Sequence, residues 1–261
     1  MSSAGLFDAP GVGIPSLPEM IGDLMAIKPD MPSRRVVRMF KNEPELRDAV
    51  LELANSPYYS GRRPLESIGR ILDRTGLPGL RSLALRGMLE LELFSHSDPL
   101  IEQLRQHSTA TAYITGVLAR YTPLNAERLF VSALLQNIGV IIPLMNMDPQ
   151  RASEPAGWQA IRYAHEAIAR LACEEWDMPK EVQDILGEHH QLDASMDNAR
   201  DISALFLSNY IASTLDLGID HPIHPEDDED IVELAMEVLD VEPGQLPAIQ
   251  EDAHEVLSLI G

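Results

Sequence analysis

The chain has 261 residues, 45% of them hydrophobic and 23% charged, which is enough to build a sizeable core and is ordinary for a globular protein. With 41 acidic and 20 basic residues its net charge is −21, a field that repels phosphate backbones and argues against nucleic acid as a partner. The single cysteine, Cys173, has no partner for an intramolecular disulfide and lies in an apolar helical pattern, which points to a buried thiol in a reducing compartment.

The amino-terminal MSSAGLFDAPGVGIPS has neither a basic n-region nor a sustained apolar stretch, which argues against a secretory signal, and residues 1–15 read as a flexible leader. Ser16 is placed to cap a first helix through Met20, Leu24 and Ile27, and Ser33 a second with Val36, Val37 and Phe40 on its inner face. Basic residues at Arg34, Arg35, Arg38 and Lys41, and at Arg62 and Arg63, read as solvated charges. Asn42-Glu43-Pro44-Glu45 has the form of a capping box, followed by an apolar face of Leu46, Val50, Leu53 and Ala54. That helix should stop at Asn55-Ser56-Pro57, because the residue before proline is disfavoured in helical geometry.

Leu65–Leu72 forms a further amphipathic set ended by Gly76, Leu77–Phe94 continues it, and Ser97-Asp98-Pro99 opens a long helix to about Arg120. The apolar run Leu129–Met145 is interrupted by Gln136, Asn137, Gly139 and Pro143 and falls short of the roughly 20 residues a bilayer requires, so it reads as a core helix. After a polar break, helices are predicted over Trp158–Glu175, Pro179–His190 and Asp201–Leu217. His221-Pro222-Ile223-His224-Pro225 and the acidic run Glu226–Asp230 then punctuate the chain ahead of two short tail helices. No stretch alternates apolar and polar residues as a half-buried strand does, so the fold class is all-α. The domain division is a leader at 1–15, a helical domain at 16–220 with halves near 16–95 and 96–220, and an acidic helical tail at 221–261.

Common catalytic motifs are absent: there is no G-x-S-x-G, P-loop, C-x-x-C or H-E-x-x-H. Gly11-Val12-Gly13 follows no strand and does not read as a phosphate cradle. Taken one at a time, His107, His165, His189 and His190 are ordinary surface or core histidines. Asn55, Ser56, Pro57, Tyr58 and Tyr59 read as a helix exit pinned by tyrosines, and alternatively as an interaction loop.

Taken in order, however, several segments resemble one family. IPSLPEM, NEPELRDAVLELANSPYYS, the Ile68–Gly76–Leu80 stretch, QHSTATA, SALLQNIGVIIPL, YAHEAIARLACEEWDMPKEVQDILGEHH and LSNYIASTLDLG are similar, from Ile14 to about Gly218, to the blocks of the HDOD family. That family is the regulatory "HD-related output domain" branch of the HD hydrolase superfamily, so the resemblance implies a multi-helix bundle of HD type. In active HD hydrolases, histidines and aspartates of such helices hold divalent metals that activate water. The resemblance places His107 at the first metal-histidine position, Gln136-Asn137 at the His-Asp doublet, His165 near a later histidine, His189 and His190 in the "HH" block, and Asn209 at the closing aspartate. Neutral amides are poor ligands for a hard dication, so these residues are expected to form a vestigial polar cluster with no catalytic residue, metal or cofactor.

The resemblance thus implies a cytoplasmic, bacterial, non-enzymatic signalling or regulatory module acting through a protein partner, away from nucleic acid and membrane. The partner's identity and the oligomeric state are left open. The alternatives are a residual metal-dependent phosphohydrolase acting on a nucleotide or cyclic dinucleotide, and a nucleotide-sensing binding protein. Zn²⁺ or Ni²⁺ held by the remaining imidazoles is compatible with each.

Overall fold

In a computed structural model, which describes residues 13–17, 19–28, 31–59, 63–93, 98–146, 154–219 and 229–260, the apolar spacing of the sequence is realised as α-helix. No strand occurs among the described residues, so the fold is all-α. The first group of helices is α1 (Glu19–Ala26), α2 (Ser33–Met39), α3 (Pro44–Ala54) and α4 (Ile68–Glu92). The second is α5 (Pro99–Leu118), α6 (Ala126–Leu135), α7 (Ile138–Asn146), α8 (Pro155–Glu175), α9 (Lys180–Glu188) and α10 (Ala199–Thr214), followed by α11 (Glu229–Leu239) and α12 (Leu246–Ser258). The expected leader residues 1–12, Ser97, and the segment around His221–Pro225 lie outside the described residues.

Helix starts follow the chemistry of the residue ahead of them. Ser67 accepts from Arg70 N at 3.4 Å, Asp98 from Leu100 N at 2.8 Å, and Asn125 from Arg128 N at 3.0 Å, each satisfying an amide that has no intrahelical partner. Three expected caps are not used. Helix α1 begins at Glu19, beyond Ser16; Ser33 is already inside α2, behind Pro32; and Asn42 belongs to a 3₁₀ turn, Phe40–Asn42, that runs into α3. Glu43 occupies the cap position of α3 without a side-chain bond, and Pro44, which lacks an N–H, opens the first turn.

In the amino-terminal group Ile21, Leu24, Phe40, Val50, Ile71 and Leu83 are buried, each such side chain contributing about 1.5–3 kcal/mol relative to exposure. Helix α4 packs on α3 and α6 and bends at Gly76, whose φ of 70° and ψ of −179° suit glycine. The expected stop at Gly76 and restart at Leu77 are met: Gly76 leaves helical geometry, and the element is two helices joined across a kink. Arg81 ties α1 to α6, donating to the carbonyls of Leu24 and Ile27 and pairing with Glu127 at 2.9 Å. Residues assigned above to the leader are held at two points: Trp176 Nε1 donates to Pro15 O at 2.9 Å and Asn146 Nδ2 to Gly13 O at 3.2 Å.

The carboxy-terminal group is arranged around α5, which touches α6, α7, α10 and α12. The apolar run expected to be one core helix is instead two, α6 and α7, broken at Gln136-Asn137; in its most apolar window 83% of residues are buried. The two amide side chains at the break are buried, 2% and 5% exposed. Cys173 is fully buried in α8, and burial pushes its thiol well above the ordinary range.

Helices α7 and α8 approach so closely that a Cβ on Gly139 would lie 1.9 Å from the His165 carbonyl oxygen. Gly139→Ala is expected to cost about 2–3 kcal/mol by forcing α7 off α8, measured by urea denaturation. Gly116→Ala, on α5 with nothing within 4 Å of the new Cβ, is expected to gain up to about 1 kcal/mol.

Candidate functional site

His107 projects from the middle of α5 and is 1% exposed. Its Nδ1 lies 2.8 Å from the carbonyl oxygen of Leu217, which can only accept, so Nδ1 carries a proton. Its Nε2 lies 3.1 Å from the side-chain amide of Asn209 on α10. Asn209 Oδ1 accepts from Thr111 Oγ1 at 3.1 Å and from Gln136 Nε2 at 3.0 Å, and Asn209 Nδ2 donates back to Gln136 Oε1 at 3.1 Å. Thr111, one turn along α5 from His107, shares its single hydroxyl proton between Asn209 Oδ1 and the His107 carbonyl, the latter at 2.8 Å. Asn137 is directed elsewhere, donating to Ser108 Oγ at 2.9 Å.

The reciprocal Asn209–Gln136 pair has a useful property. An amide nitrogen facing Nε2 suits the neutral imidazole, an amide oxygen suits the imidazolium, and two paired amides can reverse together. A carboxylate at either position could not reverse.

The other histidines form a separate group. His165 on α8 donates from Nδ1 to Arg162 O at 2.6 Å, and His189, just after α9, from Nδ1 to Leu186 O at 2.8 Å. Both rings are buried, and their centroids stand 5.3 Å apart. His190 is half-buried, its ring 4.9 Å from His165 and 4.0 Å from His189. One nitrogen from each of the three lies within 4.8 Å of the others. Glu166 accepts from the His190 backbone N–H at 3.1 Å, and burial raises its carboxyl above the ordinary range. Gly139 joins the two groups: it follows the Gln136-Asn137 break and touches the His165 backbone.

A hydrolase centre of HD type needs carboxylate oxygens to balance its dications, and this arrangement does not fit one. Gln136, Asn137 and Asn209 supply neutral oxygens or N–H groups, and both nitrogens of His107 are engaged in the network. Among the described residues, the donor group that could hold a single borderline ion, Zn²⁺ or Ni²⁺, is His165, His189 and His190. The residues expected to form one cluster are therefore two adjoining groups, with His107, Gln136 and Asn209 in one and the other histidines in the second. Leu217, Thr111, Ser108 and Glu166 complete them and were not singled out in the sequence. Thr111, four residues after His107 on one helix face, is the partner that periodicity had the means to find.

The Asn55–Tyr59 loop stands on its own structural terms. Asn55 Nδ2 donates to Leu51 O at 2.7 Å and Leu65 O at 2.9 Å, and Leu65 N donates to Asn55 Oδ1 at 2.7 Å, so one side chain staples the loop's two ends. Tyr58 and Tyr113 meet edge-on at 4.7 Å, and Tyr113 OH accepts from Arg86 Nη1 at 2.8 Å. Burial, and then the neighbouring Tyr113, hold the Tyr59 hydroxyl well above its ordinary range. Ser56 is half-buried and Pro57 exposed; Tyr58 remains 37% exposed.

The fold and site define an all-helical module with a buried polar centre where helices α5, α6, α7 and α10 converge. The HDOD domain family matches residues 14–192, and the chain belongs to that family. An HDOD domain protein with unknown function from Geobacter sulfurreducens is similar over 99% of this chain and 96% of its own, at 20% identity and a TM-score of 0.77. A Shewanella amazonensis SB2B protein provisionally described as a metal-dependent phosphohydrolase is similar over 99% of this chain and 98% of its own, at 19% identity and a TM-score of 0.70. A Marinobacter aquaeolei VT8 protein provisionally described as a signal transduction protein is similar over 95% of this chain and 58% of its own, at 17% identity and a TM-score of 0.72. At these identities the likeness is one of fold. No curated protein matches the sequence.

Leu217 reaches His107 because of how α10 ends. Asp216 adopts φ 60°, and Leu217 N bonds back to Ala212 O at 3.0 Å, a left-handed closure that turns the following carbonyl toward α5. Asp216→Gly is expected to be neutral or slightly stabilising. Asp216→Val should cost about 1–2 kcal/mol in urea denaturation, since a β-branched residue resists that conformation.

Proposed function

We propose that the chain is a non-catalytic signalling or regulatory module of the bacterial cytoplasm that acts through contacts with a protein partner. The observation that carries this reading is the closed hydrogen-bond network of His107, Asn209 and Gln136, which uses groups a metal centre would need as ligands. With no carboxylate in that network, Mg²⁺ and Mn²⁺ lack the charged oxygens they prefer, and no group there is set to activate water at neutral pH. The strongly acidic surface agrees with a basic protein partner and disfavours nucleic acid. Residues 16–220 form the working domain and 221–261 an acidic tail. Within the Asn55–Tyr59 loop, Asn55 and Tyr59 are occupied by structural bonds and packing, and Tyr58 is the side chain with surface to offer a partner.

The second reading is residual phosphohydrolase activity. It is favoured by the His165–His189–His190 group and by the description given to the Shewanella neighbour. Untagged protein assayed on cyclic dinucleotides, nucleoside phosphates and generic phosphodiesters, with Mg²⁺, Mn²⁺, Zn²⁺ or Ni²⁺ added, is expected to show no turnover. Turnover that is lost in His107→Ala would overturn the non-catalytic reading.

A further inference from the structure

We infer that the groove between α1 and the turn after α8 is a docking site for a basic segment of a partner protein. The inference rests on the reading of the chain as a partner-contact module, and it gives that contact a place and a chemistry. The groove has a volume of about 620 Å³, within the range of roughly 300–1,000 Å³ that ligand sites occupy. Three pieces of chain wall it. Gly22 sets α1 against the exit of α8, since a Cβ there would lie 3.3 Å from the Trp176 carbonyl oxygen. Asp177, at φ 50°, closes α8 beside it. Trp176 Nε1 holds the Pro15 carbonyl at 2.9 Å, so that residues 14–17 form the third side.

The lining defines the occupant. Leu17, Ala26 and Trp176 give the groove apolar surface, while Glu19, Asp23, Glu175 and Asp177 stand exposed along it. No lysine or arginine lines it, and among the described residues none of these four carboxylates is in an ion pair. The cleft beside α9 and α10 is different: there Arg128 pairs with Asp201 at 2.7 Å and Arg170 with Asp184 at 3.2 Å.

Unpaired carboxylates of one sign focus the field of a groove and favour a cationic occupant. A single metal ion does not meet this need, because no three of these carboxylates stand close enough to share one. Several separate cations do, and a peptide bearing arginine or lysine supplies them on long apolar stems. Those stems can lie on Leu17 and Trp176 while the charged heads reach the rim. Residues 1–12 of the chain itself carry Asp8 and no lysine, arginine or histidine, so charge favours a partner over the chain's own amino-terminal segment.

The probe is a short synthetic peptide alternating leucine and arginine, with glutamate replacing arginine in a control peptide. Trp158→Phe leaves Trp176 as the one tryptophan of the chain, so fluorescence reports on the groove. The arginine peptide is expected to change the Trp176 emission and to saturate at one peptide per chain, and the control peptide to do neither. Affinity should fall at least about fivefold in Asp23→Asn/Glu175→Gln. It should stay within about twofold in Glu251→Gln/Glu255→Gln, which removes the same charge from the exposed face of α12. All four side chains are exposed, and thermal melting checks that each variant folds. A photo-cross-linking form of the peptide should label residues 13–26 or 175–177. Labelling of residues 221–261 instead, equal weakening by both double variants, tighter binding of spermine than of the peptide, or no saturation up to about 1 mM peptide would each overturn the assignment. Those results would leave the partner-contact reading standing, since that reading falls on turnover in the phosphohydrolase assay.

Discussion

A carboxylate and a carboxamide have nearly the same shape, but a protein interior treats them differently. A buried carboxylate must find a cation or several donors, whereas an amide carries its own donor and acceptor and can be satisfied by another amide. At the centre of this bundle the second solution is built. Asn209 and Gln136 bond reciprocally, and Asn209 also meets His107 and Thr111 on α5. His107, Gln136 and Asn209 are all buried, so each bond left unmade there costs about 1–3 kcal/mol of desolvation. The mutual satisfaction of these few groups is the constraint to which the neighbouring helices conform.

Three local devices serve that constraint. The apolar run is divided between α6 and α7, with Gln136 and Asn137 buried at the junction. The close approach at Gly139 sets α7 on α8 at the level of His165. The left-handed Asp216 ends α10 so that the Leu217 carbonyl meets Nδ1 of His107. The same left-handed geometry at Asp177 and Asp240 closes α8 and α11, with Met178 N on Cys173 O at 2.9 Å and Val241 N on Met236 O at 2.9 Å. Aspartate tolerates this conformation better than most non-glycine residues, and the chain uses it repeatedly where glycine would be usual.

Much of this architecture is legible in the sequence. Helical apolar periodicity placed the helices, and pre-proline geometry placed the exit of α3 at Asn55. Cap positions were less legible because several residues nearby qualify: Asn42 and Ser33 have the right chemistry, yet the preceding 3₁₀ turn and Pro32 decide where the helices start. The histidines and amides were found through their order along the chain and the family they resemble. Their division into two groups was not, because it depends on ring orientation and on carbonyls such as Leu217 and Leu186 that no side-chain pattern reports. The Gly139 contact was hidden for the same reason, since a glycine inside an apolar run does not announce which backbone it meets.

The central claim is that His107 and Asn209 act as one structural unit. A double-mutant cycle on stability tests it most directly, comparing His107→Ala, Asn209→Ala and the combined variant by urea denaturation. If the network is a mutual lock, the losses are non-additive, with a coupling of about 1–3 kcal/mol between the two positions. Losses that add to within about 0.5 kcal/mol would show that the two side chains do not depend on each other and would contradict the account.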